Sequence, residues 1–269
     1  MDRAPATLPA AFPRAQPRML DGETELAVAE AVLAGTSRPA KVTAIIAAVY
    51  ERLDQQTVDC DTARRVSSAG REWLLQRAAL RFYVANDWFE ARCADCGTRF
   101  DLHLSIADIP CVEPGAGFPT VALKTSLGRR MFEVPNGTHE EAFAARRDAD
   151  PRRAFAALCG LSEESEEDAV RFSERDLVKI DEALEAASPE VADSVAANCP
   201  ECETAMQARI DPLTFAFPRR EEVLQEVHLL ATNYRWSERE ILALPMARRR
   251  AYAQLIHADH ASSYPTRRR

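Results

Sequence analysis

ARCADCGTRF (91–100) and ANCPECETAM (197–206) decide how this chain is read. Each holds a C-x2-C pair: Cys93 with Cys96, and Cys199 with Cys202. Two cysteines at that spacing put both sulfurs on one side of a tight turn. Two such pairs fill a tetrahedral thiolate shell with no open position, which is the structural kind of zinc site. Gly97 supplies the left-handed backbone that the turn prefers. The second pair has Glu203 at that place and Pro200 between its sulfurs, so it matches less well.

The flanks strengthen the reading. Trp88–Cys93 and Arg99–Leu104 alternate apolar and polar residues, with Phe100, Leu102 and Leu104 on one face. Val195–Asn198 and Thr204–Ile210 do the same, with Met206, Ala208 and Ile210 alternating. Period two predicts strands, so each knuckle is the tip of a β-hairpin. The pairs lie about 100 residues apart, and closing such a loop costs about 4 kcal/mol. A structural zinc ion returns roughly 10–16 kcal/mol in apparent binding free energy, so the metal wins if the fold presents both knuckles. A thioredoxin-like redox pair would place its first cysteine at a helix N-terminus, and neither pair opens a helical pattern. The expectation is one structural zinc per chain. Cys60, Cys111 and Cys159 read as ordinary cysteines, although Cys111 could replace one ligand.

Working outward, residues 1–20 are rich in Pro and Ala and read as a disordered or extended arm. Residues 21–85 read as an N-terminal helical region. One helix spans Glu23–Leu33. A second is capped by Ser37, with a core face of Val42, Ile45, Ile46, Val49 and Leu53. A third spans Ala69–Val84 and buries Trp73, Leu74, Leu80 and Tyr83. Residues 86–217 hold the two hairpins and an insertion. The insertion contains a loop (109–117), two more strands (119–125 and 129–134), and a helix with Thr138 and Glu141 as its capping box. A helix from Asp150-Pro151 ends at Gly160, and the acidic run LSEESEED (161–168) reads as a solvated linker. Ser173 and Asp176 begin a helix with Leu177, Ile180 and Leu184 on one face. Residues 218–261 read as C-terminal helices, with starts near Arg219, at Ser237 (capped with Glu240) and at Ala247. Residues 262–269 form a basic tail. The fold class expected is α+β, mainly helical, with a four-cysteine zinc ribbon made from two remote hairpins.

Composition limits function. The formal net charge is −8, a poor match to a protein that coats nucleic acid. Arg248–Arg250 and the terminal arginines read as solvated surface. The run length of apolar residues nowhere approaches the roughly 20 of a membrane span. No secretory leader is visible, and seven cysteines without one fit a reducing cytosol. The phosphate-binding loop, the dinucleotide glycine fingerprint, H-E-x-x-H and G-x-S-x-G are all missing from the sequence, which disfavours an enzyme. His257 and His260 share a helix face without a third ligand, His103 faces solvent, and His228 reads as a core or groove histidine.

The C-terminal third adds a resemblance. HLLATNYRWSEREILALPMARRRAYAQLI (228–256), after CPEC and DPLTFAF (199–217), resembles the baseplate hub assembly chaperones of T-even-type contractile-tailed phages and of phage-derived contractile injection systems. The matching residues are His228, Leu230, Ala231, Tyr234, Trp236, Glu240, Ile241, Leu242, Leu244, Arg249 and Tyr252. MFEVPNGTHEEA (131–142) is similar to an L-P-T-G-x-D element of that family, but its acid is displaced or missing here. The resemblance covers roughly residues 125–257. It implies a cytoplasmic, non-enzymatic assembly chaperone or accessory subunit, or a part of the finished particle. Its partners would be baseplate, hub or spike proteins, and no catalytic residue comes with it. Tyr234 and Trp236, in the joint between two helices, are the candidate partner-binding residues, with Trp236 as a core plug of that corner the plainer reading. A rival reading is a zinc-ribbon nucleic-acid-binding regulator, against which the acidic CPECETAM (199–206) argues.

Overall fold

Apolar residues at helical spacing build most of the chain, and short antiparallel hairpins interrupt it. The computed structural model describes residues 14–82, 88–103, 119–146, 150–188 and 194–262. Cys111, Tyr83 and the loop at 109–117 fall outside that set, as do residues 1–13 and the basic tail from 263.

The first core forms around α1 (Gly22–Leu33), α2 (Arg38–Val49), α3 (Cys60–Arg65) and α4 (Ser68–Phe82). Val28, Ile45, Ile46, Val49, Leu74, Leu75 and Ala78 are completely enclosed there. Asp21 caps α1 by accepting from the Thr24 N–H. Several expectations sharpen or change in this region. After residue 13 the arm takes the extended and not the disordered alternative: β1 (Ala15–Pro17) pairs with β2 (Tyr50–Leu53), which pairs in turn with β3 (Gln56–Thr57). Leu53 is buried as expected but lies on this strand, since α2 stops at Val49. Asp54 turns the chain at φ 50°, a conformation that Asp tolerates better than most residues. Leu80 faces solvent at the edge of α4, and Leu75 and Phe82 take the buried places instead.

The insertion has its own core. A hairpin, β6 (Thr120–Thr125) with β7 (Gly128–Glu133), packs on α6 (Pro151–Cys159), α7 (Ser165–Arg171) and α8 (Glu174–Ala187). Phe132, Leu177 and Ile180 fill it. The acidic run is not a free linker. It enters α7, and Asp168 is buried where Arg130 Nε donates to it at 2.6 Å. The capping box of α5 (Gly137–Ala145) also differs from the expected Thr138–Glu141 pair. Asn136 is the N-cap, and His139 Nδ1 accepts from the Asn136 N–H. Asn136 wins because its short amide accepts from two helix N–H groups at once. Glu141 is drawn away to Arg64 and Thr43.

A third core joins α9 (Arg220–Tyr234), α10 (Glu238–Leu242) and α11 (Met246–Ser262), with Leu26 of α1 packed against it. The buried Arg249 guanidinium binds Glu25 on α1 and Glu226 on α9. It is not the solvated residue that the Arg248–Arg250 run suggests. Burial opposes its charge, but the two carboxylates outweigh that and hold its pKa above the ordinary value. Met246 N–H also donates to Leu20 O at 2.7 Å, so α1 is tied to the far end of the chain.

Candidate metal centre

The cysteines sit on two hairpins: β4 (Trp88–Arg92) with β5 (Arg99–His103), and β8 (Ser194–Asn198) with β9 (Ala205–Arg209). The two knuckles repeat one backbone plan. Cys93 N–H donates to Thr98 O and Gly97 N–H to Cys93 O. Cys199 N–H donates to Thr204 O and Glu203 N–H to Cys199 O. Gly97 turns at φ 75° and Glu203 at φ 59°, so Glu203 adopts the left-handed conformation that Gly97 takes without strain. The weaker sequence match of the second pair therefore does not alter its geometry.

The four sulfurs converge. Their ligand atoms all lie within 4.8 Å of one another. Cys93 Sγ is 3.7 Å from Cys202 Sγ, and Cys96 Sγ is 3.6 Å from Cys199 Sγ. A tetrahedron of thiolates about 2.3 Å from a central ion has edges of about 3.8 Å. A disulfide would need about 2.05 Å. The spacing thus fits four ligands around one ion. Cys93 and Cys199 are buried, while Cys96 and Cys202 are exposed, so one side of the cluster opens to solvent.

Two threonines outside the cysteine pattern complete the site. Thr98 and Thr204 stand at the same offset in each knuckle. Hydrogen bonds from the Thr98 hydroxyl and then its N–H pull Cys96 down to about 6. Thr204 Oγ1 lies 3.4 Å from Cys202 Sγ and lowers that thiol in the same way. The Cys202 N–H favours the Cys199 thiolate, but burial and the neighbouring sulfurs of Cys202 and Cys96 prevail and push it up to about 11. Four thiolates repel one another in the absence of a cation, and a divalent ion reverses that balance. The shared C-x2-C-x-Thr spacing was the available signal.

A second group of reactive side chains has different electrostatics. Cys159 Sγ lies 3.6 Å from His139 Nδ1, whose other ring nitrogen is 3.7 Å from Glu133. Cys159 is fully buried and burial pushes it up to about 12. Burial also lowers His139. An activated nucleophile needs the opposite, an accessible thiol with a depressed pKa.

The remaining expected residues are elsewhere. Tyr234, 37% exposed, stacks on Trp236 with ring centres 4.8 Å apart. Tyr252 meets Trp236 edge-on at 5.1 Å. Trp236 is half-buried against the C-terminal core, so it does plug the helix corner. His228 is exposed, not a core residue; it lines a groove with Leu229, Ala253 and His257. The side chain of His260 lies outside the described residues. No described helix is long and apolar enough to cross a membrane. No family model, no curated protein and no solved structure matches this chain.

Proposed function

We propose that Cys93, Cys96, Cys199 and Cys202 hold one structural zinc ion and form a ribbon from two remote hairpins, and that the chain works by binding other proteins, not by catalysis. The observation that carries the zinc reading is the convergence of four sulfurs at tetrahedral spacing from knuckles 103 to 109 residues apart. The shell is all thiolate, which suits zinc or iron and leaves no vacant position for a substrate. Its place in the chain suggests its use. Asp211, nine residues beyond Cys202, is held by Arg38 of α2 at 3.1 Å, and Ile210 packs on Ala79 of α4. The segment leading into α9 is thereby anchored between the metal centre and the first core.

The particular role we infer is that of an assembly chaperone or accessory subunit of a contractile tail-like baseplate. It rests on the resemblance of roughly residues 125–257. Leu230, Ile241 and Leu242, three of the residues carrying that resemblance, pack in the α9–α11 core, and a fourth, Arg249, is buried against Glu226 of α9. They are residues through which a related fold would leave its mark in sequence. Tyr234 and Trp236 offer an aromatic surface at its corner, of a kind enriched in protein interfaces.

Two experiments test the two parts. Native mass spectrometry should find one zinc per chain, lost in Cys93→Ser and in Cys199→Ser. Iron in its place corrects the metal, and a metal-free, folded wild type sinks the site. A pull-down of the tagged chain from cells expressing its neighbouring genes should recover hub, spike or baseplate components. Recovery of none argues against the baseplate role and leaves the zinc site standing.

A further inference from the structure

A cleft of about 550 Å³ separates α4 from α6 and α8, on the boundary between the first core and the insertion. Its size lies within the roughly 300–1,000 Å³ of side-chain- and ligand-sized pockets. Its lining is of two kinds. Pro135, Phe155 and Leu184 supply an apolar surface. Glu72, Glu140, Asp181 and Glu185 supply carboxylates, and among the described residues Arg152 is the one cation that lines it.

The carboxylates are unequally satisfied. Glu72 is bound by Arg38 and Glu140 by Arg71, from behind the cleft. Asp181 has Arg152 at 3.2 Å. Glu185 has no cation within salt-bridge distance among the described residues. Asp181 and Glu185 are also four residues apart on α8, where like charges oppose each other. Burial, despite Arg152, together with Glu185 and Asp150, raises the pKa of Asp181. The Ser68 hydroxyl, on the cleft wall, is enclosed and has no hydrogen-bond partner among the described residues. Glu185, next to the apolar surface, is therefore the one lining carboxylate left without a cation among the described residues. Arginine and lysine suit both features, because their methylene stems lie on apolar groups while the cationic head reaches a carboxylate.

We propose that this cleft docks a basic segment of a partner protein, with an arginine or lysine stem against Phe155 and Pro135 and its head group between Asp181 and Glu185. The site is separate from the metal centre and from the C-terminal helices, and it stands whether or not the partner belongs to a baseplate. A cation there relieves the α8 carboxylate pair, and the flanking apolar residue of the segment covers Leu184.

The test uses the full, zinc-loaded chain and a fluorescein-labelled peptide, acetyl-Leu-Arg-Leu-Arg-Leu-amide, read by anisotropy at physiological salt. The expected result is saturable one-to-one binding that Glu185→Lys weakens roughly tenfold or more. Glu185 is exposed, so that variant keeps its fold, which circular dichroism checks. The control is Glu163→Lys, on the exposed acidic run away from the cleft, which should stay within about twofold of wild type. Absence of saturable binding by the wild type overturns the proposal. Equal weakening by both reversals also overturns it, because it shows attraction to net charge and not to this cleft.

Discussion

Removing the metal should loosen the two knuckles while the helical cores hold. The perturbation is a zinc chelator, or Cys93→Ser. The magnitude follows from the chain separation. Cys96 and Cys199 are 103 residues apart, and (3/2)RT ln n for that loop is about 4.1 kcal/mol. The folded cores and the Arg38–Asp211 anchor already constrain part of that loop, so about 4.1 kcal/mol is the upper bound on what the ion offsets at the knuckles, and isolated two-stranded hairpins are marginal in water. At about 1.4 kcal/mol per factor of ten, 4.1 kcal/mol corresponds to roughly a thousandfold in an opening equilibrium. The amides to watch are those closing the turns: Cys93 to Thr98, Gly97 to Cys93, Cys199 to Thr204 and Glu203 to Cys199. Hydrogen exchange at these four should accelerate well over tenfold, up to about a thousandfold, on chelation. Amides in the middle of α2 and α4, enclosed by Ile46, Leu74 and Ala78, should change by less than about tenfold. Unchanged knuckle exchange after verified metal loss would refute the reasoning, since hairpin packing alone would then hold the clasp.

The other predictions concern single residues. Arg249→Met should cost about 3–5 kcal/mol in urea denaturation, because it leaves the buried Glu25 with only the more distant Arg250, at 3.4 Å; adding Glu25→Gln should recover part of that loss. Glu203→Gly should raise stability by about 0.5–1 kcal/mol, since it removes a left-handed non-glycine residue from the second knuckle, and thermal denaturation of the zinc-loaded protein reads it. His139 binds its proton less readily in the folded chain than in the unfolded one, where its pKa is near 6.5. Unfolding therefore takes up a proton, and stability falls as pH drops below about 6.5 towards the folded value. Glu133 and Cys159 are the titratable groups facing it. His139→Gln keeps an acceptor for the Asn136 N–H and should remove that part of the pH dependence in denaturation curves taken from pH 7 to 5. Asp176, which accepts from Ser126 and Ser173, is held well below the usual carboxylate range, so its stabilisation is complete above about pH 4 and fades only in stronger acid. Asp176→Asn should flatten the acid limb of the stability curve and lower the plateau.

What was legible in the sequence is what short-range physics controls. The capping pairs Ser173–Asp176 and Ser237–Glu240 were readable because both partners lie within one turn. The four hairpin strands around the cysteines were readable because alternation and turn chemistry are local. The C-x2-C spacing gave the candidate ligands. Asn136 displaced Thr138 as a cap because Glu141, the expected box partner, is claimed by Arg64, a residue 77 positions away. The acidic run enters a helix whose Asp168 is held by Arg130 of β7, 38 positions away.

By itself, the sequence determined a mainly helical chain, the positions of most helices and hairpins, and the four thiols able to share an ion. Only the tertiary structure decided that those thiols meet, that Arg249 is buried 224 residues along the chain from Glu25, and that an acidic cleft lies between α4 and α8. The physical reason is the same in each case. A side chain's burial and charge depend on what packs against it, and for these residues the partners come from parts of the chain that no local pattern connects.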